Sequence, residues 1–242
     1  MTKPGSTIKR YFSTTHSLLY SYLISLPLLI LYEVLIRVSQ PGQDQIVRIS
    51  VDMWIKTLFS YVDPNVLSIT LILVAVLGLF ILYKERHRLS SLKLKYFLIM
   101  IFEASIYAFV LSILISLTVG SLVQLIQSSP IESLSILQKM ALSLGAGLYE
   151  ELFFRVILVS TLLWIFNHFF KKQVVAYTGA IIIAALLFSL AHYFGSMGDP
   201  FTLGSFLFRF LFGLSLNAIY IWRGFGMAAW THAIYDLMVI VF

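Results

Sequence analysis

The stretch LSILQKMALSLGAGLYEELFFRVILVSTLLWIFNHFF (134–170) decides how this chain is read. It is apolar over far more than the roughly 20 residues that cross a bilayer as a helix, yet Glu150, Glu151 and Arg155 lie at its centre. A charged side chain in hydrocarbon costs about 2.5–3.5 kcal/mol on insertion scales, so each such residue needs a partner or a function. The rest of the chain has the same character. Of 242 residues, 60% are hydrophobic and 12% charged, against roughly 25% charged in a soluble domain. A water-soluble fold of this size could not hide so much apolar surface, and lipid must be the solvent for much of it. The expected fold is an all-α polytopic transmembrane helix bundle forming a single integral membrane domain over 1–242, with its motif-bearing core at about 134–242. There is no cysteine, which excludes disulfides, thiolate metal sites and cysteine nucleophiles. The net charge of +6 lies in short clusters beside apolar spans, the pattern of membrane-protein loops rather than of a nucleic-acid surface.

Outward from this stretch, apolar windows run from about Leu18 to Val38, Val66 to Tyr83, Tyr96 to Leu122, Val174 to Phe194, Ser205 to Trp222 and Met227 to Phe242. With the region 134–170 they make about seven spans. That region is too long for one untilted helix and carries Pro130, Gly145 and Gly147 near its start, which allows two helical pieces. An interfacial helix is expected near Asp52 to Tyr61. The turn-rich segments SMGDPFTLG (196–204) and RGFG (223–226) separate the last windows. The first window contains Pro27, Glu33 and Arg37 and has no small-residue cleavage site, so it reads as a retained helix.

With seven spans, Lys3, Lys9, Arg10, Lys84, Arg86, Arg88, Lys93, Lys95, Lys171, Lys172 and Arg223 share one side, and the opposite loops hold only Arg48 and Lys56. This puts the N-terminus in the cytoplasm and the C-terminus outside. On that topology Glu150 lies near mid-membrane, His192 toward the outer end and His232 toward the inner end. A shared site then requires broken or tilted helices.

The intramembrane ionisable residues are Glu33, Glu103, Glu150, Glu151, Arg155, Arg209 and Asp236. Glu151 and Arg155 are four apart, on one helix face, and can pair inside the bilayer. Glu150 lies about 100° further round and is free to face another helix, which makes it the candidate base. The same one-face spacing relates Phe188 to His192 in FSLAH and His232 to Asp236 in HAIYD. A glutamate with two histidines can activate a water directly, or bind Zn²⁺ through Glu150, His192 and His232 with a position open for that water. No HExxH motif is present, which favours the metal-free design without a cofactor. The aromatic clusters Phe153–Phe154 and Phe206–Phe212 read as lipid-facing or core surfaces. His16, His87 and His168 fall near basic or interfacial stretches and carry no site role.

At these residues the chain resembles a known family. EELFFR (150–155) is similar to its EExxxR motif, FSLAH (188–192) to its FxxxH motif and HAIYD (232–236) to its HxxxN/D motif, in the family's order. PLLILYE (27–33) resembles first-helix sequences of bacterial members. The family is that of CAAX prenyl protease 2 and bacteriocin-processing proteins, known as CPBP or Abi. The resemblance implies a protease of the bacterial cytoplasmic membrane, with its catalytic pocket among the helices of the C-terminal half. It implies that Glu150 and His192 activate water, that His232 and Asp236 hold the oxyanion or fix the site, and that Glu151 and Arg155 support them. Its partners would be membrane lipid and a membrane-associated peptide or protein, with no nucleic acid. Two other classes stay open: a transporter or proton relay lined by the intramembrane charges, and a non-catalytic scaffold or immunity factor.

Overall fold

The computed structural model describes residues 4–41, 47–61, 66–119, 134–194 and 198–241. Lys3, Pro130 and the window ends at Leu122 and Phe242 lie outside the described residues. In order, the chain forms α1 (Pro4–Thr15), α2 (Leu18–Val38), α3 (Ser50–Ser60), α4 (Val66–Lys84), a 3₁₀ turn (Arg86–Ser91), α5 (Leu94–Val119), α6 (Ile136–Gly145), α7 (Ser160–Phe169), α8 (Gln173–Ala191), α9 (Leu203–Arg223) and α10 (Phe225–Val241). The described residues contain no strand. Local chemistry sets several starts. The Ser17 hydroxyl caps α2 on the Tyr20 amide, Ser135 and Gln138 form a reciprocal capping box on α6, and Thr202 caps α9 on the Ser205 amide.

Every apolar window has its helix. The runs Leu18–Val38, Leu94–Thr118, Ile136–Phe169, Gln173–Ala191 and Leu203–Arg223 are long and apolar enough to cross a membrane. The described apolar part of α4, Thr70–Lys84, and the 17 residues of α10 fall short of that length. The protein is an integral membrane helix bundle, and α3 stands where the interfacial helix was expected.

The region 134–170 is not two pieces. α6 and α7 belong to one run of 34 residues, joined through widened π-helical turns at Ala146–Glu150 and Leu152–Val159. Gly145 and Gly147 do not break it, because they serve close packing instead. A Cβ on Gly145 would come within 2.5 Å of the Tyr32 ring, and one on Gly147 within 2.5 Å of the Ala229 carbonyl oxygen. The run is ~51 Å long against a hydrocarbon core of ~30 Å, so it tilts or overhangs the bilayer. Glu150 therefore need not lie at mid-membrane.

Two polar clusters brace opposite ends of the bundle. At one end Arg223, buried at the close of α9, donates from Nε to Glu103 Oε1 at 2.7 Å and from Nη2 to Oε2 at 2.9 Å. Its Nη2 also donates to Thr15 Oγ1 at 3.0 Å, and the Tyr11 and Tyr107 hydroxyls donate to the same carboxylate. This corrects the reading of Arg223 as a loop charge. Its partner lies well inside α5, so the α9–α10 turn is recessed into the bundle, with Gly224 and Gly226 against Ser21 of α2. The recess also moves His232 away from the end where the sequence placed it.

At the other end Glu33 accepts from Lys56 Nζ at 2.8 Å and from Arg48 at 3.1 Å, while Asp52, fully buried, accepts from Arg48, Lys56 and the Tyr32 hydroxyl. Burial alone would lower the Arg48 pKa, but the Glu33 and Asp52 carboxylates hold it above its ordinary value.

Removing one member of a buried, hydrogen-bonded ion pair strands the other, at a cost of about 3–5 kcal/mol. Arg223→Ala should therefore lower the thermal unfolding midpoint in detergent sharply, whereas Lys171→Ala, at an exposed site, should leave it unchanged. Equal midpoints for the two variants would remove the brace from the account.

Candidate active site

The three motif-bearing elements meet around the widened part of the α6–α7 run. Glu150 closes the first π turn and Glu151 stands between the two. Such turns admit an i→i+5 spacing that re-aims side chains and are frequent at functional sites. Helix α10 reaches this point because Gly147 lets its backbone approach at Ala229 and Ala233.

The Glu151–Arg155 pair expected from the four-residue spacing forms, with Nη1 and Oε1 2.8 Å apart and both side chains fully buried. It is an ion pair rather than an aligned hydrogen bond, since no guanidinium N–H is directed at an acceptor among the described residues. The guanidinium lies over the Phe188 ring, 4.4 Å from its centroid, which adds a cation–π contact. The same Glu151 Oε1 accepts from His232 Nδ1 at 2.7 Å. One oxygen thus ties α10 to the arginine of its own helix.

His232 Nε2 faces Asp236 Oδ2 at 3.5 Å, so both ring nitrogens meet carboxylates. Just past the end of α8, His192 Nδ1 lies 2.8 Å from the Phe188 carbonyl. A carbonyl only accepts, so this network assigns the proton to Nδ1 and leaves a lone pair on Nε2. That lone pair faces Glu150 Oε2 across 3.8 Å, beyond hydrogen-bond range. Glu150 Oε2 is buried without a hydrogen-bond partner among the described residues. The site is not sealed: the side chains of His192 and Asp236 are 27% and 30% exposed, and that of Glu150 14%.

All six motif residues therefore gather in one place. Glu33 and Glu103 do not join them, each being held in one of the ion-paired clusters. Arg209 lies beyond His192, paired with Asp199 and donating to Ser205 Oγ at 2.7 Å. The rings that wall the site carried no sequence signal of their own, except Phe188 as the first residue of FSLAH. Its ring packs edge-on to His192 at 4.9 Å and to Phe154 at 5.1 Å, and Phe212 packs edge-on to His232 at 5.1 Å. Phe154 and Phe212 are core residues, and the core they belong to is the wall of the site.

Each nitrogen of His232 already faces a carboxylate, and among the described residues no three His, Asp or Glu side chains converge as a metal site.

The motif region, its order and its joint geometry all concern the C-terminal part of the chain. Residues 132–238 match the family of type II CAAX prenyl endopeptidases termed Rce1-like. The match covers all three motifs and agrees with the resemblance they carry. The Rce1-like family implies a protease embedded in a membrane. No curated protein and no solved structure matches the chain.

Arg155→Ala should lower both detergent stability and activity, because Glu151 would remain buried with its charge and His232 would lose a fixed acceptor. A protein that unfolds at the wild-type temperature yet has lost activity would move Arg155 from support into the chemistry.

Proposed function

We propose that this protein is an intramembrane endopeptidase that hydrolyses a peptide bond in a membrane-associated peptide or protein, using a water held between Glu150 and His192. One observation carries the reading: Glu150 Oε2 and the Nε2 lone pair of His192 are two acceptors facing each other at 3.8 Å. Neither can satisfy the other. A water, with two O–H donors, satisfies both and is held with its oxygen free to attack.

In this mechanism Glu150 takes a proton from the water as it attacks the scissile carbonyl, with His192 orienting the water through its second O–H. The carbonyl oxygen becomes an oxyanion, which needs fixed donors in a site where bulk water is scarce. In its doubly protonated form His232 supplies one, donating from Nδ1 to Glu151 and from Nε2 to the oxyanion. Asp236 as a carboxylate cannot donate, and its role is to hold Nε2 on line. The proton held by Glu150 then passes to the leaving amine. Arg155 and Glu151 touch no substrate atom and act as positioning residues.

Glu150→Gln keeps the shape of the side chain and removes its capacity to accept a proton. The variant should fold as the wild type does and lose at least ~10²-fold in turnover, the low end of what general-base catalysis contributes. Comparison of peptide termini from membranes holding wild-type or E150Q protein would identify the substrate, and undiminished turnover by purified E150Q would end the base assignment.

No metal enters these steps. Glu150 as a ligand would cease to be the base, and Glu151 has Arg155 beside it, a positive charge that weakens cation binding. Enzyme purified with a strong chelator should cleave at an unchanged rate and hold no stoichiometric zinc by elemental analysis. Activity that disappears with chelator and returns with Zn²⁺ alone would make Glu150, His192 and His232 ligands instead.

A further inference from the structure

The depth of the site within the bundle bears on which side of the membrane supplies its substrate. Helix α8 is 19 residues long, a rise of ~28 Å and nearly the full hydrocarbon thickness. It leaves the paired Lys171 and Lys172 at its start, and His192 is the first residue past its end. His192 is therefore at the rim of the bundle remote from those lysines.

Described residues of two connections border the site at that remote rim. The α8–α9 segment returns to it, with the Asp199 amide donating to the His192 carbonyl at 3.0 Å and the Asp199 carboxylate paired with Arg209. The α2–α4 connection reaches it through Lys56, whose ammonium lies 6.0 Å from the Tyr149 ring centroid, next in sequence to Glu150. Phe194, 71% exposed and two residues beyond His192, lies on that rim, which we take as the mouth of the site.

Most of the basic charge that makes no ion pair among the described residues lies at the opposite rim. Arg86 and Arg88 lie on the turn between α4 and α5, followed by Lys93 and Lys95, and Lys171–Lys172 joins α7 to α8. At the site's rim Arg48, Lys56 and Arg209 are neutralised by Glu33, Asp52 and Asp199, which leaves Arg37 and Lys139 as the basic residues there without an ion pair among the described residues. Free lysine and arginine in short loops stay on the cytoplasmic side.

We infer that the cleft opens on the extracytoplasmic face and that, given the peptidase reading above, it takes membrane-peptide segments presented from that face rather than cytoplasmic C-terminal tails. A cytoplasmic tail would have to carry its terminal carboxylate through most of the hydrocarbon layer to reach Glu150 and His192, against the penalty of desolvating that charge. A segment emerging on the outer face meets the catalytic water at the depth where water is available.

The chain has no cysteine of its own, so a single introduced thiol reports its own location. Phe194→Cys marks the mouth and Ser90→Cys the basic rim, both at exposed positions. In intact bacterial cells a membrane-impermeant maleimide should label Phe194→Cys, and should label Ser90→Cys only after permeabilisation. Phe201→Cys, also exposed, repeats the test at the mouth should the first variant express poorly. Labelling of Ser90→Cys in intact cells, with both mouth variants protected, overturns the inference. The labelling needs no activity, so it stands apart from the peptidase reading. If termini lost in E150Q cells map to cytoplasmic tails, the substrate assignment is wrong. Termini that do not differ at all would strike the peptidase reading, while the labelling still decides which way the cleft opens.

Discussion

A carboxylate buried in a lipid-embedded bundle cannot be left without a counter-charge, and Glu151 meets that requirement in a way that orders the whole site. Its Oε1 is shared between Arg155, one turn along the same helix, and His232 on α10. The desolvation of a carboxylate, a guanidinium and an imidazole is recovered only if all three hold their places. Helix α10 is therefore fixed in register against the α6–α7 run, and Asp236, one turn beyond His232, is fixed with it. The cation–π contact of Arg155 with Phe188 extends the same constraint to α8, and through the Phe188 carbonyl to the ring of His192. Glu150 is the one motif carboxylate left outside this network, as the base role proposed for it requires.

Small residues make such a network possible. The α10 backbone lies against Gly147 so closely that any side chain there would collide with Ala229 and Ala233. Packing in lipid gains little from hydrophobicity, since the tails of the lipid are as apolar as leucine, and close backbone approach takes its place. The polar residues then act across a distance that larger side chains would have prevented.

Much of this was legible in the sequence, and for particular reasons. The apolar windows are long and interrupted by turn residues, so the helices were visible from period and length alone. The Glu151–Arg155 pair was visible because four residues make one helical turn. The sharing of Glu151 with His232 was not, since it depends on how two helices separated by 81 residues lie against each other. Arg223 was misread because it borders the turn-rich RGFG segment and looks like a loop cation, whereas its partner Glu103 is 120 residues away. The continuity of the long helix was also hidden. Gly145 and Gly147 are helix breakers by propensity and close-contact residues in fact, and only the neighbours decide between the two.

The separation between partners has a consequence for how the protein is made. Glu151 and Arg155 leave the ribosome within one helical turn of each other, so their helix enters the bilayer with its charges already balanced. Glu103 and Arg223 have no such local answer. Helix α5 is synthesised long before α9, and Glu103 must wait through the insertion of the intervening helices for its guanidinium, with the hydroxyls of Tyr107 and Tyr11 as its interim company. The motif helix is thus self-sufficient during biogenesis, while the brace at the opposite rim closes only when the penultimate helix arrives. That makes the arrival of α9 the event that commits the N-terminal and C-terminal parts to one another.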